Sequence, residues 1–193
     1  DNPVEREIVR TQVPEVSVPN VGDVNQYIKV LDRSGFFEVT TLSTDDLNRN
    51  KMYRANIERQ RLESVFQNYE EYLRSLEMIA EIQAFVPEYM SRIAQLTNKS
   101  NQFNLTTKRY TQSEIQKIAN DLNYITLYGK LQDKFGDNGV VSLIIGNIKG
   151  ANRDELHIDL WLMSCRVLKR NMEYAMMDML VDRALDTGIK TIY

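Results

Sequence analysis

One cysteine and one histidine are all that the 193 residues provide. An internal disulfide framework is thereby excluded, and a zinc site built on Cys and His has too few ligands. Charge of one sign is scarce as well. Lys and Arg number 24 against 27 Asp and Glu, and the net charge of −3 gives no electrostatic footing for a nucleic acid. Apolar runs such as "VVSLIIG" are far shorter than the ~20 residues of a membrane span, so no membrane partner is expected. No secretory leader is recognisable, and the expected location is the cytoplasm. The first residue is Asp, inside what reads as a motif, so a fragment of something longer is expected. With 42% hydrophobic and 26% charged residues, the composition is that of a globular protein with room for one or two cores.

The chain reads in three parts. In residues 1–43, "DNPVEREIVR" opens a helix, with Pro3 in its first turn and Glu5 suited to the helix dipole. "EVSVP" follows as a short strand, and "VNQYIKVLDRSG" as a helix stopped at Gly35. This alternation suits the trailing edge of a parallel α/β domain. Residues 44–75 form one or two amphipathic linker helices. Their apolar stripe is Met52, Tyr53, Ile57, Leu62, Val65, Phe66, Tyr69 and Leu73, and their Glu and Arg residues form a solvated face. The linker is also a candidate surface for homodimerisation.

Residues 76–193 change pattern. "EMIAEIQAF" is a strand, "VPEYMSRIAQLTNK" a helix, and "TQSEIQKIAND" a helix with a Thr111–Glu114 capping box. "YITLYGKLQDKFG" and "GVVSLIIGNIK" are strands joined by a "GDNG" turn. "ELHIDLWLMS" is a further strand, "NMEYAMMDMLVDRALDTG" a helix, and "IKTIY" the start of another strand. The order β-α-α-β-β-β-α-β describes an antiparallel sheet flanked by helices and is the order of the GNAT acyltransferase fold.

"LTNKSNQFNLTTKRYT", "KFGDNGVVSLI" and "LMSCRVLKRNMEYAMMD" together resemble the C-terminal half of the FkbH-like proteins. These join a phosphatase-type HAD domain of subfamily IIIC to a GNAT-like domain. The opening "DNPVEREIVR" is similar to the end of the HAD half. The resemblance implies an α/β (α+β) chain: the tail of a HAD-like Rossmann domain, a helical linker, and a C-terminally incomplete GNAT-like domain. It also implies a function. The full-length enzyme would take a small phosphorylated acyl donor, remove phosphate with Mg²⁺ in the HAD half, and deliver a glyceryl-type acyl group to an acyl carrier protein. Asp1 would be a remnant of the Mg²⁺ site. The nucleophilic Asp-x-Asp motif of that phosphatase does not occur in this chain.

Within that frame, "SCRVLKRNME" occupies the GNAT pyrophosphate loop, whose pattern is Arg/Gln-x-x-Gly-x-Gly at a helix start. Arg166 holds the first position, but Lys169 and Asn171 replace both glycines. Side chains there obstruct close approach of phosphate to the backbone, which counts against coenzyme A. Arg166, Lys169, Arg170 and the helix start at Met172 remain candidates for the phosphate of a phosphopantetheine arm, with Glu173 spaced to support Arg166 or Arg170. Cys165, the only thiol, is the candidate nucleophile. His157 is no base for it: eight residues along one strand, at ~3.3 Å each, separate the two by roughly 26 Å. In "QLTNKSNQFNLTTKRYT", Gln95, Asn98, Asn101, Gln102, Asn104 and Thr106 are candidates for binding a hydroxylated acyl group, with Lys99 or Arg109 for a carboxylate or phosphate. The alternative is an ordered loop whose Asn and Thr residues cap helices. Two other functions stay open: a coenzyme A-dependent N-acyltransferase, and a non-catalytic module that docks a carrier protein.

Overall fold

A computed structural model describes residues 2–36, 38, 44–100, 103–104 and 106–193. The chain divides into two compact units, Asp1–Leu47 and Asn48–Tyr193.

The first unit is helical. Helix α1 (Pro3–Gln12) starts as its sequence predicts: Pro3 needs no amide partner in the first turn, and the Asn2 side chain accepts the Val4 N–H at 3.0 Å. A 3₁₀ turn (Val24–Gln26) leads into α2 (Tyr27–Arg33), and Gly35, at φ +67°, ends it. "EVSVP" is not a strand. The Val16 N–H closes a turn onto the Val13 carbonyl, and the Val18 carbonyl takes the Arg10 guanidinium at 2.9 Å. The described residues of this unit contain no second strand to pair with it, and an unpaired ladder has no stability of its own. The alternation expected of a Rossmann edge is therefore absent among them.

The second unit begins within α3 (Thr44–Glu63), continues through α4 (Tyr69–Ser75), and is built on a six-stranded sheet. The strands are β1 (Ile79–Gln83), β2 (Phe103–Asn104), β3 (Tyr124–Asp133), β4 (Gly136–Lys149), β5 (Glu155–Met163) and β6 (Thr191–Ile192). Their spatial order is β1-β3-β4-β5-β2, all antiparallel, with β6 parallel on β5. Helices α5 (Met90–Lys99) and α6 (Gln112–Ala119) cover one face, and α7 (Met172–Asp186) covers the other. This is the antiparallel sheet flanked by helices that the sequence predicts, with two departures: β2 is an additional short strand between α5 and α6, and β6 joins in parallel.

Apolar side chains on both faces fix the layers. In β4, Leu143 and Ile145 point to the α5/α6 side with Ile93, Leu96 and Ile115, while Val141 and Ile144 point to α7 with Met176 and Leu180. Each is almost fully buried, a contribution of roughly 1.5–3 kcal/mol per side chain. The capping box at α6 is present, Thr111 and Glu114 each bonding the other's backbone N–H.

Two local readings are corrected. The β3–β4 turn is Lys134–Phe135, with Asp133 opposite Gly136, and "GDNG" lies inside β4. There it accommodates a register shift, with Gly139 at φ +67° and the buried Asn138 amide donating to the Leu131 carbonyl at 3.2 Å. The stripe of α3 is only partly as expected: Met52 and Leu62 face inward with Ala55, Asn56 and Arg59, whereas Tyr53 and Ile57 are 62% and 48% exposed, as is Val65 (77%) just after the helix. Helix α4 packs through Tyr72, Leu73 and Leu76 on Leu62, Phe66 and the hairpin residue Phe135.

No helix among the described residues is long and apolar enough to cross a membrane.

Candidate active site at the end of strand β5

Strand β5 delivers the chain to a short loop. Ser164 fixes its start: its N–H donates to the Val141 carbonyl at 2.7 Å, and its Oγ accepts from the Arg166 Nε at 3.2 Å. A single 3₁₀ turn, Cys165–Val167, follows, with Val167 fully buried as an anchor. At the far end Met172, 1% exposed, inserts into the core at the first position of α7. Gly129 makes room for it. A Cβ on that residue would collide with Met172 Cε and lie 2.7 Å from Met176 Sδ.

Between the two anchors the backbone takes an unusual path. Lys169 (φ +64°) and Asn171 (φ +62°) are both left-handed, and their side chains are exposed. Glycine adopts this conformation freely; for a residue such as Lys it costs about 1–3 kcal/mol. The loop therefore takes a backbone form usual for glycine at two positions that hold Lys and Asn. Asn171 is the N-cap of α7, but its side chain makes no capping hydrogen bond. Cys165 is exposed and does not pack in the core.

Arg170, between the two left-handed residues, turns inward. Its guanidinium meets Asp133 at 3.1 Å, with the Arg side chain 9% and the Asp side chain 0% exposed. Asp133 is gripped from the other side by Arg59, whose Nε and Nη2 each donate at 2.7 Å in a bidentate pair, and it also accepts the Phe135 N–H at 2.9 Å. Burial, followed by the neighbouring Arg59 charge, holds the Arg170 pKa below its ordinary value, and Asp133 opposes that shift. The Lys169 carbonyl accepts the Tyr69 hydroxyl at 2.7 Å, and burial raises the pKa values of both Tyr69 and Tyr72 nearby.

Two expectations for the loop need correction. Arg170 is committed to Asp133 beneath the loop, so its side chain does not face a ligand. The partner of Arg170 among the described residues is Asp133 rather than Glu173, and one Glu173 carboxylate oxygen is buried without a hydrogen-bond partner. Arg166 lies along Ser164 and contacts the Met52 sulfur of α3. Neither Arg59 nor Asp133 stands out in the sequence, where one belongs to a charged helix and the other to a turn. The available signal was a 3–4 spacing running through Met52, Asn56, Arg59 and Leu62.

The described residues of the segment 95–111 are held mainly by their own polar groups. Gln95, Asn98 and Lys99 belong to α5. The Asn98 amide donates to the carbonyls of Ala94 (2.8 Å) and Tyr110 (2.9 Å), and Arg109 donates to the Thr97 carbonyl at 2.7 Å. Asn104 donates to the Ser100 carbonyl and accepts the Thr107 N–H. Thr106 donates to the Asp159 carbonyl on β5, where Lys108 pairs with the Asp159 carboxylate, both at 2.9 Å. A ligand bound by Asn98, Asn104, Thr106 or Arg109 would compete with these bonds. Asp1, Asn101 and Gln102 lie outside the described residues.

Strand β2 carries this segment onto the edge of β5, pairing Phe103 with Met163 and Asn104 with Leu162, while β6 takes the same edge at Glu155 and Leu156. Between them stands Trp161, its ring 5.7 Å from Phe103 and its indole N–H buried without a partner among the described residues. His157 sits at the β6 end, 3.2 Å from Glu155 and stacked on Tyr193, whereas Cys165 follows the opposite end of the strand. A Cys–His dyad is thus absent, as the strand spacing predicts. Among the described residues no group of three or more His, Cys, Asp or Glu side chains could hold a metal ion.

No family model and no curated protein matches the chain. Solved structures do. The ribosomal-protein-S18-alanine N-acetyltransferase from Escherichia coli is similar over 59% of this chain and 64% of its own, with 10% identity and a TM-score of 0.44. The aminoglycoside acetyltransferase HMB0005, from an uncultured soil metagenomic sample, is similar over 60% and 78%, with 12% identity and a TM-score of 0.46. A GNAT-family acetyltransferase from Streptococcus pneumoniae gives 57% and 70%, with 14% identity and a TM-score of 0.46. The chain spans only 64% of the E. coli enzyme and 66% of Ard1 from Thermoplasma volcanium.

Proposed function

We propose that this chain is an acyltransferase domain that works on the thiol of a phosphopantetheine arm carried by an acyl carrier protein. One observation carries the reading: an exposed thiol, Cys165, adjoins a loop whose backbone is left-handed at Lys169 and Asn171 and leads into the N-terminus of α7. Amides at such a terminus favour an anion, and the arm brings a single phosphodiester. A pyrophosphate needs more open backbone than Cβ atoms at both positions leave.

In the reaction, the Cys165 thiolate attacks the acyl carbonyl carbon of an activated donor. A C–S bond forms and the donor's phosphate or thiolate leaves. The pantetheine thiol, losing its proton to solvent, then attacks the same carbon and releases Cys165 as thiolate. Arg166 and Lys169 supply positive charge near the arm's phosphate. The acyl group is a small hydroxylated one of glyceryl type, as the resemblance to FkbH-like proteins implies, and its phosphorylated precursor is processed by residues outside this chain.

The test is intact-protein mass spectrometry after incubation with a glyceryl thioester, followed by carrier protein bearing its arm. A glyceryl adduct on the wild type but not on Cys165→Ala, chased onto the carrier, is expected. Transfer at full rate by Cys165→Ala would refute the covalent route.

A coenzyme A-dependent N-acyltransferase is the second reading, favoured by the same left-handed backbone at 169 and 171. Tight coenzyme A binding in calorimetry, with none of phosphopantetheine, would select it.

A further inference from the structure

We infer that Arg59 and Asp133 are positioning residues for the loop between β5 and α7: acting through Arg170, they hold Lys169 and Asn171 in their left-handed conformation. The ligand that benefits rests on the acyl-transfer reading; the mechanical role does not.

The loop lacks the usual supports. It has no glycine, and the side chain of its N-cap residue makes no capping bond. Of the three residues from Lys169 to Asn171, two are exposed and only Arg170 reaches inward. Its inward contact is a buried carboxylate 37 residues earlier in the chain, at the β3–β4 turn. That carboxylate cannot swing, because the Arg59 fork and the Phe135 amide occupy it from other directions. Arg59 is in turn steadied by Asn56, whose side-chain oxygen accepts from Nη1 at 2.9 Å. A second tie comes from the same helical layer, where the Tyr69 hydroxyl holds the Lys169 carbonyl. The two strained residues thus have their geometry set by α3, α4 and a hairpin tip. The linker helix is part of the site's scaffold.

The test uses the whole chain, labelled for NMR, with Arg59→Lys, Arg59→Met and Asp133→Asn variants. Arg61→Ala is the control, since the Arg61 side chain, on the same helix, makes only an exposed pairing to Glu58 among the described residues. Carbon shifts and amide–α-proton couplings of Lys169 and Asn171 report φ directly, without ligand. The expected result is a left-handed signature in wild type and control. In Asp133→Asn and Arg59→Met it averages toward ordinary loop values while β4 and β5 resonances stay in place. Arg59→Lys keeps the charge without the fork, and an intermediate signature is expected. Titration with 4′-phosphopantetheine should weaken by roughly tenfold or more in Asp133→Asn, the scale of one lost charge-assisted bond. Unchanged signals at 169 and 171 in Asp133→Asn would overturn the inference. So would resonances that collapse throughout the chain in step with the loop. Should Asp133→Asn fail to fold, Arg59→Lys decides: a loop response no larger than in Arg61→Ala overturns the inference. Loop responses as expected, in a wild type that binds no 4′-phosphopantetheine, would support the positioning role and refute the acyl-transfer reading alone.

Discussion

Asp133 is the anion between two buried guanidiniums, and that arrangement makes an asymmetric prediction about stability. The cluster of Arg59, Asp133 and Arg170 carries one net positive charge, with side chains 3%, 0% and 9% exposed. Removing Arg59 leaves one cation with one anion, still tied by the Arg170 contact and the Phe135 amide. Two charge-assisted hydrogen bonds are lost, but no charge is left without a counterpart. The expected cost of Arg59→Met is about 2–3 kcal/mol. Asp133→Asn is almost isosteric, yet it leaves two guanidiniums facing each other out of water without an anion. That is the uncompensated-charge case, costing about 3–5 kcal/mol, a third or more of the stability of many domains. Urea unfolding followed by the emission of Trp161, the only tryptophan, reports the unit that contains the cluster. The double variant should cost less than the sum of the two single ones, because the second change removes a cation that the first had stranded. If Asp133→Asn cost less than Arg59→Met, or under about 1 kcal/mol, this electrostatic account would be wrong.

Three further outcomes follow from the geometry. Glu81 accepts the Tyr128 hydroxyl at 2.6 Å, and that bond, aided by Lys130, holds its pKa below the ordinary 4.5. A depressed folded-state value means that the stabilisation is complete above about pH 4.5 and disappears as pH falls through the folded pKa, so Glu81→Gln should flatten the acid limb of a urea-midpoint profile. Gly129→Ala drives a methyl group into Met172 and Met176 and should cost about 1–3 kcal/mol by chemical denaturation, with the flexible methionine ends keeping it from costing more. Thr111→Ala removes one half of the α6 capping box and should cost about 1 kcal/mol in thermal melts, while Thr111→Ser should retain most of it.

The sheet and its flanking helices were legible because their signals are local. The Thr111–Glu114 box and the apolar run "VVSLIIG" each act within a few residues, as does the Gly35 stop of α2 in the first unit. What was missed depends on distant partners. "EVSVP" has strand composition but no partner among the described residues, and the "GDNG" turn signal was overridden by the Lys134–Phe135 hairpin. Tyr53 and Ile57 look like part of a core stripe only until Asp133, 74 residues beyond Arg59, draws a charged side chain inward and fixes the rotation of α3. At the candidate site the sequence located the loop and its thiol. It could not show that Arg170 is spent on Asp133, nor that Asn98, Asn104, Thr106 and Arg109 bond to backbone groups.

The strand order has a bearing on how the chain reaches this state. Strands β3, β4 and β5 form a meander of neighbours in sequence, needing only short loop closures, whereas β2, β6 and the Arg59–Asp133 pair must each bridge a longer stretch of chain. Local pairing comes early in folding and long-range pairing late. The meander should therefore be largely formed in the transition state, with the arginine fork closing afterwards. Substitutions in the meander would slow folding, and loss of Arg59 would mainly quicken unfolding. The clamp beneath the loop would then act as a latch on the lifetime of the folded protein, with little influence on how fast it forms.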